Sequence, residues 1–298
     1  MGVAYALLAM VSFASNMLIT RVALTRLPVE AGFFLVLGAN IAFPGVLFAA
    51  EWLWRTQQFA WSWKGAGFFI LSGVVGTFLG RRMLFETVRL LGAARASVFH
   101  SSAPAFAFLA AWLIAGEKVT LFDVGLLAIV WSGLWLVQPP TGARVGGATF
   151  TPQLLRKGIL VGVATTAGFG VGNVLRGLAI RNWDELFFGT MLSSVAGLAL
   201  QAAVTRDWPK IAGQLRSASP AAIALYCGCG IATALGSIFV TMAMKNMPIG
   251  LAVLVVHTTP IVIFPVSVFI LKHREELSMR TLTGTALVLG GIAALLAR

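Results

Sequence analysis

Apolar residues fill this chain in long blocks separated by short polar stretches. Segments such as Ala31 to Ala50 and Val124 to Val137 have almost nothing to present to water. A hydrocarbon slab needs about 20 apolar residues per helix, and in lipid every backbone polar group must be satisfied inside its own segment. The pattern therefore predicts membrane-crossing helices. Hydropathy and turn residues together place ten of them, at roughly 3–24, 31–52, 65–88, 93–115, 121–138, 157–180, 185–204, 219–244, 249–271 and 280–297. Trp52, Trp54, Trp61 and Trp63 crowd the second connection, and Trp183 and Trp208 flank the seventh block. Indoles favour the headgroup layer, so these positions read as interface anchors. Met1 opens directly onto an apolar stretch without a basic leader, which reads as a retained first span.

The blocks repeat. Thr77-Phe78-Leu79-Gly80 corresponds to Thr233-Ala234-Leu235-Gly236, 156 positions further on. The same displacement carries Arg89 onto Lys245, Ala96 onto Ala252, Ser102 onto Thr258, Pro104 onto Pro260 and Phe13 onto Phe169. A constant register across several helices signals duplication. The expected organisation is a first five-helix unit over 1–138, a connecting loop over 139–156 and a second five-helix unit over 157–298. Five crossings are an odd number, so the second unit enters the membrane upside down. Inverted repeats of this kind enclose a site near the midplane. The expected fold class is all-α integral membrane, with ten transmembrane helices as two inverted five-helix repeats.

Gly92-Ala93-Ala94-Arg95-Ala96-Ser97, the helix through Pro104, and Gly116-Glu117-Lys118-Val119-Thr120 together resemble the signature of EamA-type transporters of the drug/metabolite transporter superfamily. In the second copy Pro260 remains, but the Gly-Glu element appears as Lys272-His273-Arg274-Glu275-Glu276-Leu277-Ser278, about two residues longer. The resemblance implies ten helices, two inverted repeats and a central cavity, with substrates among amino acids, other metabolites and drugs. Small multidrug exporters of the same superfamily carry a membrane-embedded Glu in their first helix. The first span here has no Asp or Glu, which disfavours a lipophilic-cation exporter of that type.

Composition agrees with the pattern: 58% of residues are hydrophobic, 11% charged, and mean hydropathy is +0.90, against about 25% charged in soluble domains. The net charge of +12 would suggest nucleic acid in a soluble protein, but the basic residues are scattered through short loops and helix ends. They read as topology signals and lipid-headgroup contacts, so no nucleic-acid partner is expected. Setting aside Arg81 and Arg82, 13 of the 22 Lys and Arg fall on the side receiving Arg21, Arg156 and Lys272, and 7 on the side receiving Arg55, Lys118 and Arg181. The positive-inside rule puts both termini outside; the family resemblance implies cytoplasmic termini.

Polar groups at membrane depth are costly and default to functional hypotheses. Arg81, Arg82 and Glu86 interrupt the third block. A guanidinium lining a cavity could hold a substrate carboxylate or phosphate through paired N–H donors; the competing reading is an internal Arg82–Glu86 pair with Arg81 reaching the headgroups. His100, Ser101 and Ser102 precede Pro104, as His257, Thr258 and Thr259 precede Pro260. Their hydroxyls could satisfy carbonyls freed by the proline, and the imidazoles could face the cavity and titrate. Asn16, Asn40 and Asn173 are amides at membrane depth that could bind substrate or bond across helix contacts. Ser237 is the second-copy counterpart of Arg81. Trp131 and Trp135 could wall a cavity or pack, and Cys227 and Cys229 read as packing residues. Gly76 with Gly80, and Gly168 with Gly172, form small-xxx-small pairs that allow close helix approach.

These residues predict a secondary transporter in the cell inner membrane that exports a small metabolite by alternating access. Arg81, Arg82 and Arg176 tilt the substrate toward amino acids or organic anions. Two other readings are an exporter of drug-like compounds and an intramembrane enzyme acting on lipid-linked substrates, although clustered catalytic groups for the latter are few. No Walker motif is present, no cofactor or metal is expected, and the partners are a small-molecule substrate, membrane lipids and, as a coupling ion, protons, in a monomer or homodimer.

Overall fold

The computed structural model describes residues 1–56, 58–91, 99–100, 102–137 and 152–259, with scattered positions between 279 and 294. The regular structure among them is helical: α1 (Gly2–Ala23), α2 (Val29–Trp54), α3 (Trp63–Ser72), a segment of wider π-type turns (Gly73–Gly80), α4 (Arg81–Leu91), α5 (Ala103–Ala115), α6 (Leu121–Val137), α7 (Pro152–Asn182), α8 (Leu186–Val204), α9 (Trp208–Arg216), α10 (Pro220–Asn246) and α11 (Ile249–Val256). Helix starts carry the expected chemistry. Ser62 and Ser219 accept from the N–H groups of Gly65 and Ala222, each at 3.2 Å, and Pro220 occupies the first turn of α10, where its missing N–H costs nothing.

Among the described residues, six helices are long and apolar enough to cross a membrane, and α5 and the first part of α6 are shorter apolar helices. Large apolar side chains such as Leu53, Leu113 and Trp112 stand on the outside, a surface made for lipid tails. The chain is a multi-pass membrane protein. The ninth predicted block is described only as far as Thr259 and the tenth only at scattered positions, and most of the 139–156 loop lies outside the described residues. The sixth helix starts at Pro152, five positions earlier than hydropathy suggested.

Packing is closest along a seam of small residues. A Cβ on Gly172 would stand 2.5 Å from the Gly76 Cα, and one on Gly168 would stand 3.2 Å from the Gly80 Cα. The two small-xxx-small pairs therefore face each other where α7 crosses the segment joining α3 to α4. One contact occurs twice: Gly80 abuts the Phe169 ring, and Gly236, 156 positions on, abuts the ring of Phe13, 156 positions back. Around these contacts α1 packs on α10, as α7 packs on α3 and α4, and α2 lies against both α8 and α10.

The prolines punctuate differently from a simple kink. The chain turns at Ser102 and α5 begins afresh at Ala103, with Pro104 in its first turn. In the second copy α11 ends at Val256 and His257–Thr259 form a turn, where the Thr258 and Thr259 hydroxyls donate to the Val255 and Val256 carbonyls at 2.6 and 2.7 Å. Trp183 also departs from expectation. It is buried, 5% exposed, because its indole N–H donates to the Ala60 carbonyl at 2.7 Å and its ring stacks edgewise among Phe59, Trp61, Phe69 and Phe188.

Candidate functional site

The π-type turns end at Arg81. Such wide turns shift the phase of the residues that follow, and they recur at functional sites. Here they send Arg81 inward while its neighbour Arg82 is exposed on the outside. The Arg81 guanidinium lies over the Phe33 ring of α2, 5.1 Å from its centroid, a cation–π arrangement. Arg81 acts electrostatically on two further groups, the Cys229 thiol of α10 and the His100 imidazole. Cys229 lies 3.3 Å from the Thr20 hydroxyl of α1, which donates to the Asn16 side-chain oxygen at 3.3 Å. His100 stands edge-on to Phe169 of α7, with centroids 4.7 Å apart, and 5.2 Å from the His257 ring. Its Nδ1 is buried with no hydrogen-bond partner among the described residues.

A guanidinium, two imidazoles, a thiol and two aromatic faces thus gather from six separate segments of the chain. Arg81, His100 and His257 each keep part of their surface accessible, so the cluster is not solid core. Among the described residues no carboxylate lies within ion-pair distance of Arg81 or Arg176. The arrangement can offer paired N–H donors to an oxyanion and a flat apolar wall to its carbon skeleton.

The other expected site residues are distributed around this centre. Asn16 joins it through Thr20. Glu86 is partly buried and engaged in contacts of its own. Asn40 and Ser237 are buried on α2 and α10, and Asn173 is partly buried on α7. Ser101 lies outside the described residues. Trp131 and Trp135 face outward, about half exposed, and the Trp131 indole donates to the Ser102 hydroxyl at 3.1 Å.

A second set of polar contacts ties the helix ends together at one membrane face. Gly116 closes α5 in the left-handed conformation, φ 66°, which glycine adopts without a Cβ penalty. Glu117 follows at once. Its carboxylate accepts from the Ile249 and Gly250 N–H groups at 2.7 and 3.3 Å, capping the N-terminus of α11, whose dipole favours an anion. Arg181 of α7 pairs with Glu117 at 2.9 Å and donates to the Met244 and Met247 carbonyls at 3.2 and 3.1 Å. Beside them Arg55 grips Glu185 in a fork at 2.9 and 2.5 Å, and this hydrogen-bonded carboxylate raises the Arg55 pKa. Lys245 pairs with Asp184 at 2.5 Å. A cleft of about 340 Å³ opens here, between Val3, Phe108, Glu117, Lys118, Met247 and Leu251. It belongs to this face and is separate from the Arg81 cluster.

Sequence reasoning passed over Phe33, Phe169 and Thr20, took Cys229 as packing, and met Glu117 only as part of a motif. Phe169 left one signal, its register with Phe13. The partners of Glu117 lie 132 and 133 positions away, so no local pattern could reveal its role.

The sequence pattern of the EamA-like transporter family matches this chain over residues 1–138 and again over 156–297. The multidrug transporter MdfA of Yersinia pestis bv. Antiqua (strain Angola) is 32% identical over 173 residues, which is 57% of this chain. The same transporter from Yersinia pestis strain D106004 is equally similar. The chain covers 36% of the length of these relatives. A solved structure described only as "Crystal structure of protein" superposes with a TM-score of 0.73 at 20% identity, over 100% of this chain and 97% of that one. The two share a fold.

Proposed function

Since this chain belongs to the EamA-like transporter family, we propose that it is a secondary carrier that exports small metabolites bearing a negative group, amino acids or organic acids, across the cell inner membrane. The observation that carries this reading is the Arg81 guanidinium within electrostatic reach of the His100 imidazole, itself 5.2 Å from the His257 ring, without a carboxylate at ion-pair distance among the described residues. Such a centre attracts anions and repels cations. Asn16 and Ser237 are the neutral polar groups that would complete the substrate's contacts.

Alternating access rests on the ten-helix, inverted-repeat architecture. Its support is the contact made twice at a displacement of 156, Gly80 on Phe169 and Gly236 on Phe13. Single cysteines introduced at Lys118 and Arg274 are then expected to react with impermeant reagents from opposite faces; labelling of both from one face removes the inversion.

A drug-like substrate is the second reading, favoured by the MdfA stretch and by the aromatic walls at Phe33 and Phe169. Reconstituting the full chain in proteoliposomes separates the two. Uptake of labelled glutamate or malate, with ethidium left behind, is the expected result. Transport of ethidium alone would hand the assignment to the drug reading, and transport of none of the three would sink the carrier.

A further inference from the structure

We infer that the carrier works as an anion exchanger, returning across the membrane only with a second anion in its site. The inference rests on the carrier reading above and adds the mode of its cycle. It follows from where the negative charges are. The chain has 10 Asp and Glu residues; among the described ones, all but Glu86 fall at helix ends or in connections, and Glu86 has contacts of its own. Arg81 stands well inside the run formed by α3, the π-type turns and α4, and the charge it brings is matched by no carboxylate among the described residues.

A second guanidinium shares this condition. The Nε of Arg176 is buried without a hydrogen-bond partner among the described residues, as are the Ser72 and Ser193 hydroxyls. These three belong to α7, α3 and α8; next to Ser72, a Cβ on Gly73 would run into the Ser193 carbonyl. Among the described residues, the Arg176 guanidinium therefore adds a second buried donor without an acceptor.

Alternating access requires an occluded intermediate in which both entrances are shut and most water is gone. An unpaired cation is strongly disfavoured in such a space. With an anion between the guanidinium and the imidazoles, the charge is neutralised and the donors are satisfied, so the loaded carrier passes through occlusion readily. The empty one does not. Its return is the slow leg, and a counter-anion on the far side removes that barrier. The exchange is one anion out for one anion in, with no covalent step.

The test is countertransport in proteoliposomes of the full chain. Initial uptake of labelled glutamate and of labelled malate is compared in vesicles holding unlabelled glutamate, unlabelled malate, glucose or buffer alone. Uptake is expected to be about tenfold faster or more with an anion inside, since each tenfold in rate reflects a modest change in barrier, and glucose should behave as buffer. Equal rates in loaded and empty vesicles overturn the exchange and leave the anion carrier standing. Absence of uptake under every load sinks the anion-carrier reading and the exchange together.

Discussion

Replacing Arg81 by Gln is expected to lower initial anion uptake about 100-fold, a loss of about 2.7 kcal/mol of transition-state stabilisation, while Arg82→Gln transports near the parental rate. The two residues are adjacent in sequence and opposite in surroundings. Arg81 lies over Phe33, within electrostatic reach of His100 and Cys229, and Arg82 is exposed on the outer side of α4. Gln keeps hydrogen-bonding capacity but removes the charge and the planar fork that matches a carboxylate. Arg81→Lys keeps the charge without the fork and should fall between, because a point charge cannot make the paired contact. The comparison needs equal amounts of folded protein, judged by a single symmetric peak in detergent chromatography. Undiminished uptake by Arg81→Gln, or equal defects in Arg81→Gln and Arg82→Gln, would remove Arg81 from the site.

Gly172→Val is expected to prevent stable assembly. The first added carbon would lie 2.5 Å from the Gly76 Cα and 2.8 Å from its N. Both are backbone atoms, so no side-chain rotation relieves the clash, and the helices must separate. Overpacking in a dense interior costs about 1–3 kcal/mol and occasionally more, and here separation also opens the neighbouring Gly168–Gly80 approach. A membrane helix pair held by close backbone contact has little hydrophobic drive to compensate. Gly38→Ala provides the matched control, since an added Cβ there meets nothing within 4 Å. Thermal melting in detergent, followed by the fraction remaining monodisperse, distinguishes the two. A Gly172→Val protein as stable as Gly38→Ala would show that the seam does not hold the bundle together.

Much of this was readable from the chain because membrane folding is governed by few rules. The length of each apolar run set the helices, and the glycine spacing found both sides of the seam. Constant register linked Phe13 to Phe169 before any contact was known. What escaped depended on phase or on distance. Regular α-helical turns through the third block would put Arg82, Glu86 and Arg89 on one face, and the π-type turns at Gly73–Gly80 rotate that pattern so that Arg81 faces inward. Trp183 reads as an interface anchor from its place at a helix end, but an acceptor at Ala60 and four surrounding rings draw it inside. Glu117 sits in a recognisable motif, yet the backbone it caps belongs to a helix more than 130 positions on.

The charge at Arg81 exists in one copy alone, for at the same displacement the second copy has Ser237. In the proposed inverted-repeat arrangement, two units of like fold would present unlike chemistry, and the binding centre would be offset from the axis that relates them. A solute arriving from one compartment meets the cationic wall under a different geometry from one arriving from the other. On the proposed reading, the half-saturating concentrations on the two sides are expected to differ, and the carrier to rectify, running faster in one direction than in the other at equal gradients. The equilibrium it approaches is unchanged, because that asymmetry in binding is balanced by the free-energy difference between its two open conformations.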